Sequence, residues 1–507
     1  MPPTPPPSLD ELSEGLANLG INVADKHPRE ERAPYDKYKW QATLRSRACK
    51  AMGISTTQLT IHEITAIEDA PVHSIYTGER RNYQRRCARE AMSPQSPPNP
   101  RQSYRQGRYG RERSRPSDEG IDDPEFIDLG GASLWCQPDA IIMGIRGGLD
   151  GQLHVSEEAT ALVAAAMDSW DYDTIALQTA TGGHALRVVA DALLEYHGLY
   201  SACNIDRETA RRFFAVAEAA YGTNAYHDSV HAADVGLGVH VFITKYGLHT
   251  RLSHLDIFAL LVGAIMHDFN HPGTTNTHEV KAATRRCIAH GTVSVLERHH
   301  LQSAFMLLDH AYASFDLFSG LSPDDRIAVR LLIVDLVLAT DLSRHVDSIE
   351  TLRTLAATRG ATAHRQAHSS SADAPDAPWF SSFHDKSVVG PRLLLSVAIK
   401  FADLGHATKT SAIHQVWTER ITQELWALGD RERMIGMAVS PLCDRKKDTD
   451  IPKSQVAFFN FICVPFYTVV ADLVEPEMTP WLHVQHNLNE WRNRLHEHEA
   501  SAEGSSS

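Results

Sequence analysis

Cysteine is sparse in this chain: seven residues in 507, with no CxxC pair and no dense cluster. That usage excludes a disulfide-stapled secreted module and suits free thiols in a reducing compartment. Long apolar runs are missing too. The longest, such as Phe258 to Met266, fall well short of the ~20 residues that a spanning helix needs. The N-terminus, MPPTPPPSLDELSEG, has neither a basic start nor an apolar stretch and does not read as a secretory signal. Excess positive charge is also absent. The formal net charge is −14, which argues against a general nucleic-acid binder. A cytoplasmic protein with no transmembrane segment and no nucleic-acid partner is the expectation. Alternating strand patterns are nearly absent as well, and this removes β-sheet classes.

What is present divides the chain. Residues 1 to about 35 are rich in Pro, Glu and Asp and read as disordered. Residues 36–66 interleave Tyr38, Trp40, Leu44, Met52 and Ile54 with Lys37, Lys39, Arg45, Arg47 and Lys50. A basic segment with an aromatic anchor suits a calmodulin-type regulator, here over residues 36–54; a short amphipathic docking helix is the plainer reading. Residues 79–116 are Arg-rich, from Arg80 and Arg81 to Arg113 and Arg115, with Glu90 and Glu112 as the acids among them. Without apolar periodicity this stretch reads as a basic linker. Residues 1–154 therefore form a low-complexity extension with room for regulation.

Helical periodicity begins near residue 155 and predicts an all-α domain over 155–485. Leu255, Phe258, Ala259, Val262, Ile265 and Met266 mark one buried face. Ile327, Leu331, Val334 and Leu338 mark a second. Leu394, Val397, Ala398 and Phe401 mark a third, and Trp417, Ile421, Leu425 and Leu428 a fourth. Residues 357–389 lose the pattern and read as a disordered surface insertion. Residues 486–507 read as a C-terminal tail.

Three polar clusters sit at the ends of apolar stripes. In YHDSVHAADV (226–235), His227 and His231 share a helix face. Alone, such a pair is weak evidence. In MHDFNHPG (266–273), His267 and Asp268 close an apolar helix, and a carboxylate in such a dry place is costly unless it is paired or binds a cation. In KFADLGHATK (400–409), Asp403 ends another apolar face. Together His231, His267, Asp268 and Asp403 make a His₂Asp₂ set. Nitrogen and oxygen donors without thiolate suit Zn²⁺ in an open site. The second oxygen of Asp268 can bridge to a harder ion, Mg²⁺ or Mn²⁺, and two such ions can clamp a phosphoryl group.

These segments, with VLERHHL (295–301), VLATDLSRH (337–345), GDRERMIGM (429–437), SPLCDRK (440–446) and KSQVAFFNFI (453–462), resemble the class I 3′,5′-cyclic nucleotide phosphodiesterases, in the family's order and over about two-thirds of the chain. GTTN after HP, SPLCDRK, His406 and residues 169–199 lean toward the calmodulin-dependent subfamily. The resemblance implies the compact all-helical catalytic domain of the HD superfamily, hydrolysing cAMP, cGMP or both to 5′-monophosphates. It implies that His227 is the general acid for the leaving O3′. His231, His267, Asp268 and Asp403 match the ligands of the tighter ion, Zn²⁺, and Asp268 is shared with a second ion, Mg²⁺ or Mn²⁺. His271, Glu297 and Thr340 match positions that hold metal-bound waters. Gln455 matches the purine-binding glutamine and Phe458 the stacking aromatic. Tyr226, Leu342, Leu404 and His406 match pocket-lining positions.

The chemistry agrees with these roles. An imidazole can protonate a departing alkoxide, and a glutamine amide can present oxygen or nitrogen, so Gln455 can serve adenine or guanine. Lys400 stands where some members have His, Asp228 replaces a frequent Asn, and His406 stands where many cAMP-selective members have Asn. Two rivals use the same residues differently: an HD-type phosphohydrolase on another nucleotide, which has no use for Gln455 and Phe458, and a catalytically dead nucleotide-binding scaffold, which normally loses a metal ligand.

Overall fold

Ser, Thr and Asp side chains start most helices here. Ser156, Asp173, Asp206, Asp228, Ser253, Thr275, Ser322 and Asp450 each accept a backbone N–H of the first turn, satisfying donors that have no helical partner. The computed structural model describes residues 8–21, 155–309, 315–367, 391–475 and 477–505. The chain divides into two units, residues 1–25 with 130–507 and residues 26–129, and every described residue lies in the first. The basic segments at 36–54 and 79–116 lie outside the described residues.

The order is α1 (Leu9–Asn18), α2 (Glu157–Asp168), α3 (Thr174–Ala180), α4 (Ala185–Tyr196), α5 (Leu199–Ala202), α6 (Arg207–Ala220), α7 (Ser229–Lys245), α8 (His254–Met266) and α9 (Asn276–Lys281). It continues with α10 (Arg285–His290), α11 (Val295–Leu308), α12 (Pro323–Thr340), α13 (His345–Ala367), α14 (Pro391–Asp403), α15 (Ser411–Met434), α16 (Ile451–Phe458), α17 (Val464–Leu473) and α18 (Thr479–Ser505). No strand occurs among the described residues, and the expected all-α class holds.

Helices α7 and α8 are apolar nearly all round and form the centre of the core: Val230 to Ile243 and Ile257 to Met266 are buried without a break. Around them pack α4, α12 and α14. The crossing of α7 and α14 depends on Gly238. A Cβ there would lie 2.8 Å from Ala402 Cβ and 3.3 Å from Ala402 Cα. The missing side chain lets the two helices approach closely, so that His231 and Asp403 meet.

Four expectations need correction. On α12 the buried stripe is Val329, Leu332, Ile333, Leu336 and Val337, while Ile327 and Leu331 are 58% and 53% exposed. The segment is aliphatic on several sides, and periodicity alone cannot choose among overlapping stripes. Helix α13 continues to Ala367, into the segment read as an insertion. Its Ala, Arg and Gln residues favour helix without marking an apolar face; residues 368–390 lie outside the described residues. Helix α18 runs through the boundary at 485 and buries Leu488 and Trp491, continuing the stripe of Trp481 and Val484. Residues 8–21, read as disordered, form α1, started by a Ser8–Glu11 capping box. Its Leu12 and Leu16 are fully buried, and the Gly20 carbonyl accepts from Thr277 Oγ1 at 2.8 Å. The Leu9, Leu12, Leu16 spacing was masked by the Pro-rich leader.

Residues Ile451–Leu473 are by length and composition apolar enough to cross a membrane, longer than the runs noted from sequence. Over half of its most apolar 18-residue window is buried inside the domain, and Asn460 interrupts the stretch, accepting from Arg492. It is a core helix, and it carries Gln455 and Phe458. A π-helical turn at Phe459–Cys463 follows Phe458.

Candidate metal centre and substrate pocket

Four side chains from three helix ends converge on one point. His231 comes from the first turn of α7, His267 and Asp268 from the end of α8, and Asp403 from the end of α14. His231 Nε2 lies 3.2 Å from His267 Nε2, 3.2 Å from Asp403 Oδ1 and 3.5 Å from Asp268 Oδ2. His267 Nε2 lies 3.1 Å from Asp268 Oδ2 and 3.3 Å from Asp403 Oδ1. Donors held 2.0–2.1 Å from a common ion stand about 3.0 Å apart in adjacent octahedral positions and about 3.4 Å apart in tetrahedral ones. The observed separations fit an ion at the centre. His267 Nδ1–H donates to the Ala264 carbonyl at 2.7 Å, which turns the Nε2 lone pair inward.

The electrostatics also ask for a cation. Burial alone would lower the His267 pKa, yet Asp268 and Asp403 hold it well above the usual histidine value. Burial would raise both carboxyls, and the facing imidazoles hold them well below the usual carboxylate range. A pocket that clings to a proton in this way offers the same attraction to a metal ion, which competes for the same lone pairs.

His227 stands beside this cluster, its Nε2 4.0 Å from Asp268 Oδ2. Its Nδ1 lies 2.5 Å from Glu424 Oε1, and Glu424 Oε2 accepts the backbone N–H of Tyr226 at 2.7 Å and of His227 at 3.0 Å. Burial opposes protonation of His227, but Glu424, aided by Asp268 and Asp403, outweighs it and lifts the pKa to about 9. Glu424 thus favours the protonated ring and holds its Nδ1 side, which leaves Nε2 turned toward the Asp268 side of the site. The ring stacks on His271 with centroids 4.0 Å apart. Asn224 ties the two residues together, donating from Nδ2 to the carbonyls of His271 at 2.6 Å and His227 at 3.1 Å.

The loop after α8 turns sharply: Asn270 and Gly273 have φ of 58° and 65°. Gly273 is needed for space as well as for its dihedral, since a Cβ there would meet Asn224 Oδ1 at 2.8 Å. Arg431 donates to the carbonyls of Pro272 and Gly273. The other oxygen of Asp268 faces His300 Nε2 at 3.6 Å, and Asp268, His271 and His300 offer a second set of donor atoms within 4.8 Å of one another. Glu297 is buried and held by Asn276 Nδ2 at 3.0 and 3.1 Å. Burial, then the charges of Asp341 and Asp268, push its carboxyl up to about 8. Thr340 is buried at the end of α12, its hydroxyl donating to Val337 O at 2.8 Å.

On the other side lies an aromatic pocket. His406 stacks on Phe458 with centroids 5.4 Å apart and planes within 16°. Tyr226 packs edge-on to His406 and against His231. Leu404 is buried and Leu342 half-buried. Gln455 is buried, yet its Oε1 has no hydrogen-bond partner among the described residues. A buried amide oxygen left in that state is costly unless a ligand completes it.

The sequence profile of the 3′,5′-cyclic nucleotide phosphodiesterases matches residues 226–485, just over half of the chain. The chain belongs to this family. Among relatives of this phosphodiesterase-family chain, the human dual specificity calcium/calmodulin-dependent 3′,5′-cyclic nucleotide phosphodiesterase 1B is 33% identical over 316 residues, covering 62% of this chain and 53% of that one. The probable 3′,5′-cyclic-AMP phosphodiesterase pde-4 of Caenorhabditis elegans is 32% identical over 325 residues, 64% of this chain and 45% of that one. The chain thus spans about half the length of the curated relatives it matches. A solved structure, the phosphodiesterase domain of a RhoPDE fusion protein from the choanoflagellate Salpingoeca rosetta, aligns with a TM-score of 0.57 at 20% identity, over 68% of this chain and 99% of that one. At that identity the likeness speaks for the fold.

Glu424 was missed from sequence. Its signal was present: it falls seven residues after Trp417 and four before Leu428, on the buried register of α15, where an acid needs a partner. His300, buried with its Nδ1 2.8 Å from Phe269 O, was also passed over inside VLERHHL. So was the buried pair of Asp234 and Lys409, 3.6 Å apart. Lys409 Nζ also lies 3.0 Å from the Tyr172 ring centroid, and the group braces α7 against the turn after Asp403.

Proposed function

We propose that this chain hydrolyses 3′,5′-cyclic nucleotides to 5′-monophosphates, with residues 155–485 and the remainder of α18 as the catalytic domain. The observation that carries the reading is the placement of the His231, His267, Asp268 and Asp403 cluster beside His227, whose Nδ1 is held by Glu424 and whose Nε2 faces Asp268. His231, His267, Asp268 and Asp403 would hold the tighter ion, for which nitrogen and oxygen donors without thiolate favour Zn²⁺. Asp268 would be shared with the second ion, Mg²⁺ or Mn²⁺, and His271, Glu297 and Thr340 would hold water around it. When bound, the ions supply an activated water and neutralise charge on the phosphoryl group.

The protein's own part begins with orientation. Phe458 and His406 give the base a stacking surface, and the vacant Oε1 of Gln455 gives it a hydrogen-bond partner. Tyr226, Leu342 and Leu404 close the pocket. His227 then delivers its Nε2 proton to the leaving O3′, while Glu424 retains the Nδ1 proton and keeps the ring aimed. An amide with no locking partner among the described residues suits both purines, so acceptance of cAMP and cGMP is the favoured reading. Steady-state turnover of both nucleotides with Mg²⁺ and with Mn²⁺ tests it. Activity confined to nucleoside monophosphates would favour an HD-type phosphohydrolase, and tight binding without turnover would favour a scaffold.

Regulation by Ca²⁺/calmodulin through residues 36–54 is a second proposal. It rests on the basic and aromatic composition there and on calcium/calmodulin-dependent relatives. Stimulation of the full chain that Trp40→Ala abolishes is the expected result; no response in the parent chain would end it. A cytoplasmic location is proposed from the scattered thiols.

A further inference from the structure

Lys400 takes no part in the mechanism above, yet it is placed close to it. Its side chain, on α14 one turn before Asp403, is 2% exposed. Its Nζ donates to the carbonyls of Ala339 at 3.2 Å and of Asp341 at 3.5 Å, the two neighbours of Thr340. These carbonyls cap the C-terminal, negative end of α12. Burial pulls the Lys400 pKa down to about 8; Asp403, then Asp341 and Glu297, hold it up against burial, and Arg344 opposes them. Asp341 is itself fixed, its carboxylate accepting from Ser294 Oγ at 2.6 Å and Ser343 N at 2.8 Å. Such a buried ammonium persists only because this acidic shell holds it. Glu297 links this shell to the place assigned to the second divalent ion, since it feels the charges of both Asp341 and Asp268.

We propose that Lys400 is a built-in counter-cation that sets the affinity of the second-ion site. The inference rests on the two-ion reading given above. A positive charge beside Asp341 and Asp403 competes with a divalent ion for the same field, so it keeps that ion weakly held and exchangeable. Loss of the charge tightens binding. Loss of Lys400 as a mere structural prop does the reverse, because a loosened Ala339–Asp341 turn misplaces Thr340. The sign of the change separates the two roles.

The probe is Mn²⁺, titrated by calorimetry and by its electron paramagnetic resonance signal into Zn²⁺-loaded full-length protein. Lys400→Met keeps the length and removes the charge, and it is expected to bind the second-site Mn²⁺ on the order of tenfold more tightly. Lys400→Gln, neutral but able to donate to the Ala339 carbonyl, should tighten it likewise and serves if the Met variant fails to fold. Lys400→Arg keeps the charge and should stay within about threefold of the parent. Weaker or unchanged Mn²⁺ binding in the neutral variants overturns the proposal while leaving the two-ion reading intact. Absence of any second Mn²⁺ equivalent in the parent protein overturns both.

Discussion

Replacing Glu424 with Gln removes one charge from the site and leaves the side chain's shape. The perturbation reaches His227 directly, because Oε1 of Glu424 lies 2.5 Å from Nδ1. Burial by itself drives the His227 pKa down, and among the groups that reverse this Glu424 acts most strongly, giving about 9 in place of the ordinary 6.5. Ions bound at Asp268 and Asp403 would offset the pull of those two carboxylates and leave Glu424 as the group that favours the His227 proton. The acid form is present below the raised pKa and is lost as pH rises through it. In Glu424→Gln the pKa falls to about 6.5 or lower. At pH near 7.5 the protonated fraction then drops from nearly complete to about a tenth, a loss of about tenfold in kcat. The amide NH₂ also meets either the Nδ1–H or a backbone N–H, which adds to the loss. The assay is kcat and kcat/KM against pH for both proteins at saturating Mg²⁺. The basic limb should move down by at least about one pH unit in the variant, with a smaller change in KM. Superimposable basic limbs would refute the assignment of Glu424 as the group that holds the His227 proton.

Other substitutions give equally definite expectations. His231→Ala and Asp403→Ala should each lower turnover by at least about a thousandfold and lose the tight ion in elemental analysis, with helical circular dichroism retained; an active variant would displace that residue from the cluster. Gln455→Ala should cost about 1–3 kcal/mol of kcat/KM for cAMP and cGMP alike, and an effect on one nucleotide alone would contradict an amide free to serve both. Gly238→Ala brings a methyl within 2.8 Å of Ala402 Cβ, and overpacking of this kind costs about 1–3 kcal/mol. Thermal unfolding should show it, and an unchanged Tm would mean that the α7–α14 crossing has slack.

The fold class was legible because α7, α8 and α14 carry dense apolar stripes that end in His or Asp, and those ends are where the site forms. Each proposed ligand could be named from such an end. The partners of those residues were harder to see. Glu424 lies 197 residues from His227 in sequence, and an acid on a buried register declares a need for a partner without naming it. The face of α12 was misjudged because aliphatic residues surround that helix, so its orientation is decided by α8 and α14 packing on it. Helix α1 and the end of α18 were overlooked because leader and tail compositions diluted short stripes that become stable only on the domain surface.

The central proposal is that His231, His267, Asp268 and Asp403 would hold the ion that drives cyclic phosphodiester cleavage. Its most direct test strips the purified chain with a chelator and restores Zn²⁺ and then Mg²⁺ in measured equivalents, following the conversion of cAMP and cGMP to 5′-monophosphates at each step. The prediction is no turnover in the stripped protein and recovery as the equivalents are filled, with His267→Ala never recovering. Unchanged turnover after the ions are gone, or full recovery in His267→Ala, would contradict it.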